Sequence, residues 1–304
     1  MSFLWALSEY RTPFLNGLFK FCTLFGEETI AIALICVLFW CVDKNLAYII
    51  GFSYFLSGLL VQGLKITCKI DRPWILDSNF KPVEGSMTTA TGYSFPSGHT
   101  QSSSSLFSTL GFRAKKAWLK TVCFAMIFFV GFSRMYLGVH TPKDVLVSFG
   151  LSVVISAVVC AFYDRVIKLR YADIGLSSFF LLCACGLMIY SISMYSAGTI
   201  ELQYVSDCFK AAGAGMGFAV GFFIEHRFIR FDPRGAGIGV QLLKFVLGIG
   251  TTLALKSGLK LILGVSLAAD SIRYAIVVLW IIAVFPLFIK KFFSKKSEVA
   301  DDIT

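Results

Sequence analysis

Long stretches without charge are the feature that most constrains this chain. Windows of roughly 18 or more residues carry almost no charged side chain, which is long enough for a helix to cross a hydrocarbon core about 30 Å thick. A continuous apolar helix satisfies its own backbone polar groups, as the bilayer interior requires. With 57% hydrophobic residues and a mean hydropathy of +0.76, the composition excludes an ordinary soluble domain. The sequence therefore predicts an all-α, polytopic transmembrane helix bundle.

Nine apolar segments are candidates for membrane spans. They cover residues 29–42, 46–64, 99–112, 117–133, 145–163, 174–194, 209–224, 237–255 and 272–289. Residues 1–26 mix aromatic and charged side chains, which is typical of an amphipathic helix lying in the membrane interface. The first residues do not combine a charged stretch, an apolar core and a small-residue cleavage site, so we expect no removable signal peptide.

The distribution of Lys and Arg predicts the orientation of the bundle. The formal net charge is +10, but the basic residues form short clusters between apolar segments, which favours topology signals over a nucleic-acid surface. Fifteen of them fall on one side and twelve on the other. The fifteen are Lys44, Arg113, Lys115, Lys116, Lys120, Arg165, Lys168, Arg170, Arg227, Arg230, Arg234, Lys290, Lys291, Lys295 and Lys296. We therefore expect a cytoplasmic C-terminus, with the N-terminus and residues 65–98 facing outward.

Three short motifs converge on the predicted outer side. They are Lys65-x6-Arg72-Pro, Pro-Ser97-Gly98-His99 and Ser-Arg134-x5-His140-x3-Asp144. The motifs follow the second apolar segment, begin the third and follow the fourth, so helix alternation brings them to one membrane face. Together they supply two histidines, three cations and one carboxylate. This set of side chains predicts a site for a dianionic tetrahedral group.

The cations of these motifs have two interpretations. Lys65 and Arg72 are seven residues apart, so on one helix they would share a face about 10 Å apart, with Pro73 ending that helix. The alternative is a pair of interfacial cations at the end of a span. Arg134 offers a planar fork that grips phosphate oxygens in pairs, although alone it would be an ordinary loop arginine.

The other motif residues also fit both a structural and a functional interpretation. Ser97 and Gly98 open a helix whose first N–H groups can hold phosphate oxygens, but a plain Ser-capped helix start has the same sequence. Asp144 completes a capping box with Thr141, and its carboxylate can also hold the Nδ1–H group of His140. The two interpretations of Asp144 are compatible.

In this order and on consecutive helix ends, the motifs resemble the three signatures of the type 2 phosphatidic acid phosphatase superfamily, the metal-independent lipid phosphatases. The resemblance covers about residues 1–165. It implies that His140 is a nucleophile that forms a phosphohistidine, that Asp144 orients it and that His99 protonates the leaving oxygen. It also implies that no metal or other cofactor is needed. The residues implied to bind phosphoryl oxygens are Lys65, Arg72, Ser97, Gly98 and Arg134.

This resemblance and the span pattern together predict an organisation and a function. The expected parts are an interfacial helix (1–26), a phosphatase core (27–165), a C-terminal transmembrane extension (166–290) and a cytoplasmic tail (291–304). The expected enzyme lies in a bacterial cytoplasmic membrane, faces outward and hydrolyses a lipid phosphate or diphosphate. Candidate substrates are polyprenyl diphosphate, which a bacterial chain favours, phosphatidic acid, phosphatidylglycerol phosphate and sphingoid-base phosphates. The alternatives are a sugar phosphatase of the glucose-6-phosphatase type and a lipid transporter or scramblase that retains a phosphate-recognition site.

The extension offers fewer signals. Gly213, Gly217 and Gly221 are spaced by four, which places them on one helix face and allows close helix approach. We expect packing within the chain, with a homodimer through these glycines as the alternative. Lys244 lies inside the apolar segment 237–255, and Lys256 and Lys260 follow the end of the same segment, so these side chains are expected to face protein, water or headgroups.

Overall fold

The chain folds into helices joined by short connections and one longer loop. The computed structural model describes residues 1–234 and 237–293, and these contain no strand. The α-helices are α1 (Ser2–Glu9), α2 (Pro13–Leu24), α3 (Glu28–Val37), α4 (Lys44–Cys68), α5 (Pro73–Leu76), α6 (Gly98–Arg113), α7 (Ala117–Tyr136), α8 (Pro142–Val166), α9 (Ala172–Ser196), α10 (Leu202–Ile224), α11 (Ile238–Leu263), α12 (Leu267–Leu279) and α13 (Phe285–Phe292). The prediction of an all-α, polytopic bundle is confirmed. Residues 294–304 of the predicted tail lie outside the described residues.

The number of helices that fit a membrane span differs from the predicted nine. Within the described residues, seven helical stretches are long and apolar enough to cross a membrane, and counting the bent pair Pro13–Leu24 and Glu28–Val42 as one span gives eight. The segment predicted at 99–112 is helical, but α6 has only 16 residues and carries seven hydroxyl side chains. Since α6 packs against α4, α7 and α8, most of its surface is buried against protein and does not need an apolar composition.

The N-terminal segment forms two helices where one interfacial helix was predicted. α1 and α2 pack against α7 and the loop that follows α5. Trp5 donates its indole N–H to Asp77 at 2.9 Å, and Arg11 donates to the carbonyl oxygen of Lys81 at 2.7 Å. These contacts fix the N-terminal helices at the end of the bundle where the three motifs meet.

The helix ends that carry the motifs are joined directly. The backbone N–H of Ser97 donates to the carbonyl oxygen of Asp144 at 3.1 Å, which ties the start of α6 to the start of α8. The hydroxyl of Ser148 donates to the carbonyl oxygen of Ser97 at 2.6 Å. Deeper in the bundle, Ser57 of α4 and Ser105 of α6 bond through their hydroxyls at 2.6 Å. Small side chains at these positions let the backbones approach closely and hold the motifs together.

The extension packs on α4 through a shared core. The ring of Phe52 lies edge-on to those of Phe218 and Phe222, with centroids 4.9 Å apart in both pairs. At the end of the bundle opposite the motifs, the buried Glu225 accepts from Lys44 at 2.8 Å and from the hydroxyl of Tyr48 at 2.5 Å. A buried carboxylate requires such partners, so this cluster joins α4 to the end of α10 without an unpaired charge.

The glycine stripe of α10 is used inside the chain. A Cβ atom at Gly213 or Gly217 would overlap the backbone of α12 at Ser271 or Ala275, and Gly221 faces Ile282. This is the expected packing within the chain, and it leaves these glycines covered by α12. The homodimer therefore has no support from this stripe.

The lysines of α11 lie in protein or at the surface. Lys244 is 1% exposed and donates to the carbonyl oxygen of Pro233 at 3.3 Å and to the side chain of Gln241 at 3.2 Å. The ammonium group of Lys256 lies 5.5 Å from the ring centroid of Tyr274. Lys260 is exposed near the end of the helix.

Candidate active site

His140 lies between α7 and α8, at the centre of the converging motifs. It is 1% exposed, and its Nδ1 lies 3.5 Å from Oδ2 of Asp144 and 3.4 Å from the hydroxyl of Ser94. The same Oδ2 atom accepts from the Ser94 hydroxyl at 2.6 Å and from the backbone N–H of Thr141 at 2.8 Å. Asp144 thus caps the start of α8 and faces the imidazole, so its two sequence interpretations hold together.

The tautomer of His140 follows from its other neighbour. Nη1 of Arg72 lies 3.0 Å from Nε2 of His140, and a guanidinium has only donors. In the neutral imidazole, Nε2 must then accept this bond and the proton lies on Nδ1, on the side of Asp144. Burial, and then the charges of Arg72, Arg134 and Lys65, lower the pKa of His140 well below its ordinary value. His140 is therefore neutral at pH 7, with the Nε2 lone pair directed at Arg72.

Lys65 and Arg72 are held by one loop. Arg72 donates from Nε to the carbonyl oxygen of Gly92 at 2.9 Å and from Nη2 to that of Thr91 at 2.6 Å. Nζ of Lys65 donates to the carbonyl oxygen of Tyr93 at 3.1 Å. Three successive carbonyl oxygens thus orient both cations.

The expectation that these two cations share one helix is wrong. α4 ends at Cys68, because the next residue, Lys69, adopts a left-handed conformation with φ of 50°. Arg72 is the N-cap of α5, and Pro73 begins that short helix where it was expected to end the preceding one. The cations meet because the chain turns back, so their convergence depends on residues 91–93 and not on helical spacing.

Arg134 presents one free edge of its guanidinium. It is fully buried, and Nη1 donates to the hydroxyl of Thr23 at 2.8 Å. Nε and Nη2 have no partner among the described residues, and two such N–H groups on one guanidinium edge can bind two oxygens of a phosphate. Nε2 of His99 is likewise buried without a partner. Buried polar groups are nearly always paired, so these groups are available to bond a polar group that enters the site.

Ser97 and Gly98, the N-cap and the first residue of α6, have different positions relative to the site. The hydroxyl of Ser97 accepts from the backbone N–H of Thr100 at 3.4 Å, so Ser97 is the N-cap and lies buried behind the site. A Cβ atom at Gly98 would meet no atom within 4 Å, and Gly98 lines the cavity of the site. The first N–H groups of a helix have no acceptor within it, so those of this turn are suited to anion binding.

A cavity of about 570 Å³ connects most of these residues. Its wall contains six of the eight predicted site residues, namely Lys65, Arg72, Gly98, His99, Arg134 and His140. Asp144 and Ser97 lie behind this wall and reach the site through His140 and the backbone of α6. Three cations, two imidazoles and a helix start around one space can bind a phosphoryl group, attack it and protonate its leaving oxygen.

Two site residues were not predicted from the sequence. Ser94 bonds to Asp144 and lies beside Nδ1 of His140, and it stands just before the second motif in the stretch Gly-Tyr-Ser-Phe. Its position next to a motif is the signal that points to it. Thr23, the partner of Arg134, lies 111 residues away in sequence and carries no comparable signal.

Family models match both halves of the chain. Residues 46–168 match the PAP2 superfamily, and residues 209–297 match the PAP2 superfamily phosphatase transmembrane extension. The first match contains all three motifs, and the second covers most of the region for which the sequence offered few signals. The two matches name the same superfamily, with the extension following the phosphatase region, and together they cover most of the chain.

Two characterised proteins are similar to this chain. A probable sphingosine-1-phosphate phosphatase from Dictyostelium discoideum is 30% identical over 214 residues, which cover 63% of this chain and 47% of that protein. The chain thus spans about half the length of that relative. Phosphatidylglycerophosphatase B from Bacillus subtilis is 25% identical over 170 residues, or 53% of this chain and 81% of the relative.

Two crystal structures resemble part of the fold, each with a TM-score of 0.46. One is a transmembrane PAP2 type phosphatidylglycerolphosphate phosphatase from Bacillus subtilis, with 24% identity, covering 56% of this chain and 86% of that chain. The other is LpxE from Aquifex aeolicus, with 25% identity, covering 52% of this chain and 92% of that chain. The three motifs and the two family matches together show that this chain belongs to the PAP2 superfamily.

Proposed function

We propose that this membrane phosphatase hydrolyses a lipid phosphate or diphosphate through a phosphohistidine at His140, without a metal ion. The observation that carries the proposal is the pair of open N–H groups on Arg134 beside a neutral His140 whose Nε2 meets Arg72. Phosphoryl transfer depends mainly on positioning and charge neutralisation. Three cations and the start of α6 supply both.

The proposed reaction has two steps. Nε2 of His140 attacks phosphorus while the bond from phosphorus to the lipid oxygen breaks. Burial, and then the charge of Arg134, lower the pKa of His99, and the charge of a bound phosphate dianion opposes this shift. His99 therefore carries a proton in the substrate complex and gives it to the lipid oxygen. When Nε2 attacks, the guanidinium of Arg72 gives up its hydrogen bond to Nε2 and donates to a phosphoryl oxygen. The Nδ1–H group keeps its carboxylate partner Asp144, which stabilises the charge that develops on the ring. Water then attacks phosphorus while the bond from phosphorus to Nε2 of His140 breaks, neutral His99 accepts a proton from the water, and phosphate leaves.

The lipid class is supported by the location of the site and by the relatives. The site opens among helix ends, and the loop above it carries Trp74, Phe80 and Tyr93, as expected near a membrane interface. The similar proteins bear the names of phosphatases of sphingosine-1-phosphate and phosphatidylglycerophosphate. Both names describe phosphate esters of lipids, and polyprenyl diphosphate and phosphatidic acid remain in the candidate set.

The first test measures phosphate release by the detergent-solubilised protein. The panel contains a sphingoid-base phosphate, phosphatidic acid, phosphatidylglycerol phosphate, a polyprenyl diphosphate and glucose 6-phosphate. We expect release from at least one lipid, the same rate in excess EDTA and inhibition by vanadate, which imitates the geometry of phosphoryl transfer. Faster release from the sugar would favour the sugar phosphatase, and no release from any substrate would favour the transporter or scramblase. Loss of activity in EDTA would contradict the metal-independent mechanism.

A second test concerns sidedness, which follows from the fifteen-to-twelve distribution of Lys and Arg. Thr88 is exposed in the loop above the site, and Ala114 lies partly exposed at the opposite end of the bundle. On a background without native cysteines, we expect Thr88→Cys in intact cells to react with an impermeant maleimide added outside. Ala114→Cys should react only after the cells are opened. The reverse pattern would place the site on the cytoplasmic side.

A third test concerns Tyr204 of the extension, whose ring stacks on Tyr93 with centroids 4.0 Å and planes 11° apart. Because the carbonyl oxygen of Tyr93 holds Lys65, losing this ring should loosen the phosphate-binding cations. An aromatic pair contributes about 0.5–1.5 kcal/mol, so Tyr204→Ala should lower kcat/KM by up to about tenfold, mainly through KM. Tyr204→Phe should retain activity, and Tyr195→Ala, on the exposed end of α9, is the matched control. Equal losses in Tyr204→Ala and Tyr195→Ala would exclude this positioning role.

A further inference from the structure

The cavity of the phosphate site continues as a long apolar arm. Along α4 it is lined from Lys65 to Tyr48, seventeen residues apart, which is about 26 Å at the rise of an α-helix. The other wall of this arm comes from the extension, through Phe218, Ile249, Val277, Val278, Ile281 and Ile282. α3 and the turn after it also line the arm, from Ile32 to Phe39. The family match to a transmembrane extension therefore covers one wall of a cavity that begins at His140.

Charge is confined to one end of this cavity. Apart from the motif residues, the charged side chains in its described lining are Glu28, Asp207, Lys210, Lys256 and Arg273. Glu28 opens α3, and Asp207 and Lys210 lie within the first three turns of α10. Arg273 lies two turns into α12 and Lys256 two turns before the end of α11, so all five lie in the half of the bundle that contains the site. Beyond them the arm has no charged side chain and is lined mainly by aliphatic and aromatic ones, with Cys36 and Thr252 among them. One end thus suits a phosphate and the other suits a hydrocarbon chain.

The dimensions of the arm fit one chain. A volume of about 570 Å³ over this length of about 26 Å gives a mean cross-section of about 22 Å². Apolar groups in contact approach to about 4.5 Å, so one hydrocarbon chain occupies about 20 Å². If a methylene needs about the 30 Å³ of a liquid water molecule, the cavity holds about nineteen such groups. The phosphate takes the room of about three to five of these groups, so a phosphate with one chain of about fourteen to sixteen carbons fills this space.

Building on the proposed function, we propose that the preferred substrate is a lipid phosphate with a single chain of this length, held between α4 and the extension. A second acyl chain, or a polyprenyl chain of several times that length, exceeds the space. The chain leaves a bilayer that is equally apolar, so selection comes from shape and van der Waals contact. The extension then sets the length of chain that the phosphatase accepts.

Two lining residues at different distances from the phosphate site allow the arm to be tested. Ala214 and Val277 both line the cavity. Gly213 packs on Ser271 and Gly217 on Ala275, so α10 and α12 run side by side and Val277 lies about 7 Å deeper than Ala214. Ala214→Phe should block the arm close to the site, whereas Val277→Phe should block only its deeper part. Ala254→Phe, at an exposed position of α11 outside the cavity lining, is the matched control.

The experiment measures kcat/KM for single-chain phosphates of about eight to about eighteen carbons, with phosphatidic acid as the two-chain comparison. The wild type should be fastest near the long end and slower on phosphatidic acid. Overpacking a full site costs about fivefold to a hundredfold, so Ala214→Phe should lose that much on the longest chain and little on the shortest. Val277→Phe should shift the optimum by fewer carbons, and Ala254→Phe should not shift it.

The outcomes separate this proposal from the proposed function. If the wild type releases phosphate from no lipid, the proposed function fails. If it hydrolyses lipids but all three phenylalanine variants keep the wild-type length profile, or lose activity equally at every length, the chain-binding arm is excluded. A preference for phosphatidic acid that is insensitive to these substitutions would also overturn it. Monodispersity on size-exclusion chromatography checks the folding of each variant, and Val277→Phe retains the test if Ala214→Phe is not stable.

Discussion

His140→Ala is expected to abolish turnover, with kcat reduced by at least about a thousandfold. The substitution removes the only atom in the site that the proposed mechanism uses to bond to phosphorus, Nε2. The cations are held by other groups: Arg72 by the carbonyl oxygens of residues 91 and 92, and Arg134 by Thr23. Substrate binding should therefore survive. The dissociation constant of the substrate, measured directly for the variant, should be close to the value obtained for the unmodified protein by competition with vanadate.

The same substitution should remove the covalent intermediate. After rapid alkaline quenching, which preserves phosphohistidine, radiolabelled substrate should label the wild type and leave the variant unlabelled. His226→Ala is the matched control, because this histidine lies at the opposite end of the bundle and stacks on Phe222 with centroids 5.3 Å apart. Labelling of the His140 variant, or residual kcat above about a thousandth of wild type, would contradict a nucleophilic role.

The convergence of the motifs could be predicted from the sequence because it depends only on helix alternation. The ends of the second and fourth apolar segments and the start of the third must share one membrane side. The structure joins these ends through the bond between the Ser97 N–H and the carbonyl oxygen of Asp144. The Thr141 cap, with Pro142 as the first residue of α8, also follows from local sequence rules.

The predictions from sequence that the structure corrects depend on contacts between distant segments. Nothing local marks Lys69 for a left-handed conformation, which is uncommon for any residue other than glycine or asparagine, so the end of α4 could not be predicted. The nine-span expectation counted residues 29–42 and 99–112 as spans by composition. The first is half of a bent helix pair, and the second is the short, hydroxyl-rich α6, which lies among α4, α7 and α8. The pairing of Thr23 with Arg134 and the joint cavity of α4 and the extension need three-dimensional packing.

Arg134→Lys should show how much the site depends on geometry as opposed to charge. Both side chains carry one positive charge, but only arginine offers two parallel N–H groups along one edge. In this structure that edge is the free one, since Nη1 is used by Thr23 while Nε and Nη2 have no described partner. Losing one charge-assisted hydrogen bond costs about 1.5–3 kcal/mol, so kcat/KM should fall by about ten- to a hundredfold.

Arg113→Lys is the matched control for this experiment. Arg113 also uses two guanidinium nitrogens, which bind Asp164 at 2.6 and 3.3 Å, but it lies at the other end of α6 and is partly exposed. An exposed ion pair contributes little to stability, so activity should stay within about twofold of the wild type. If Arg134→Lys were as active as Arg113→Lys, a point charge would suffice and the fork would have no special role. A large loss confined to Arg134→Lys would instead assign its free edge to the phosphoryl oxygens.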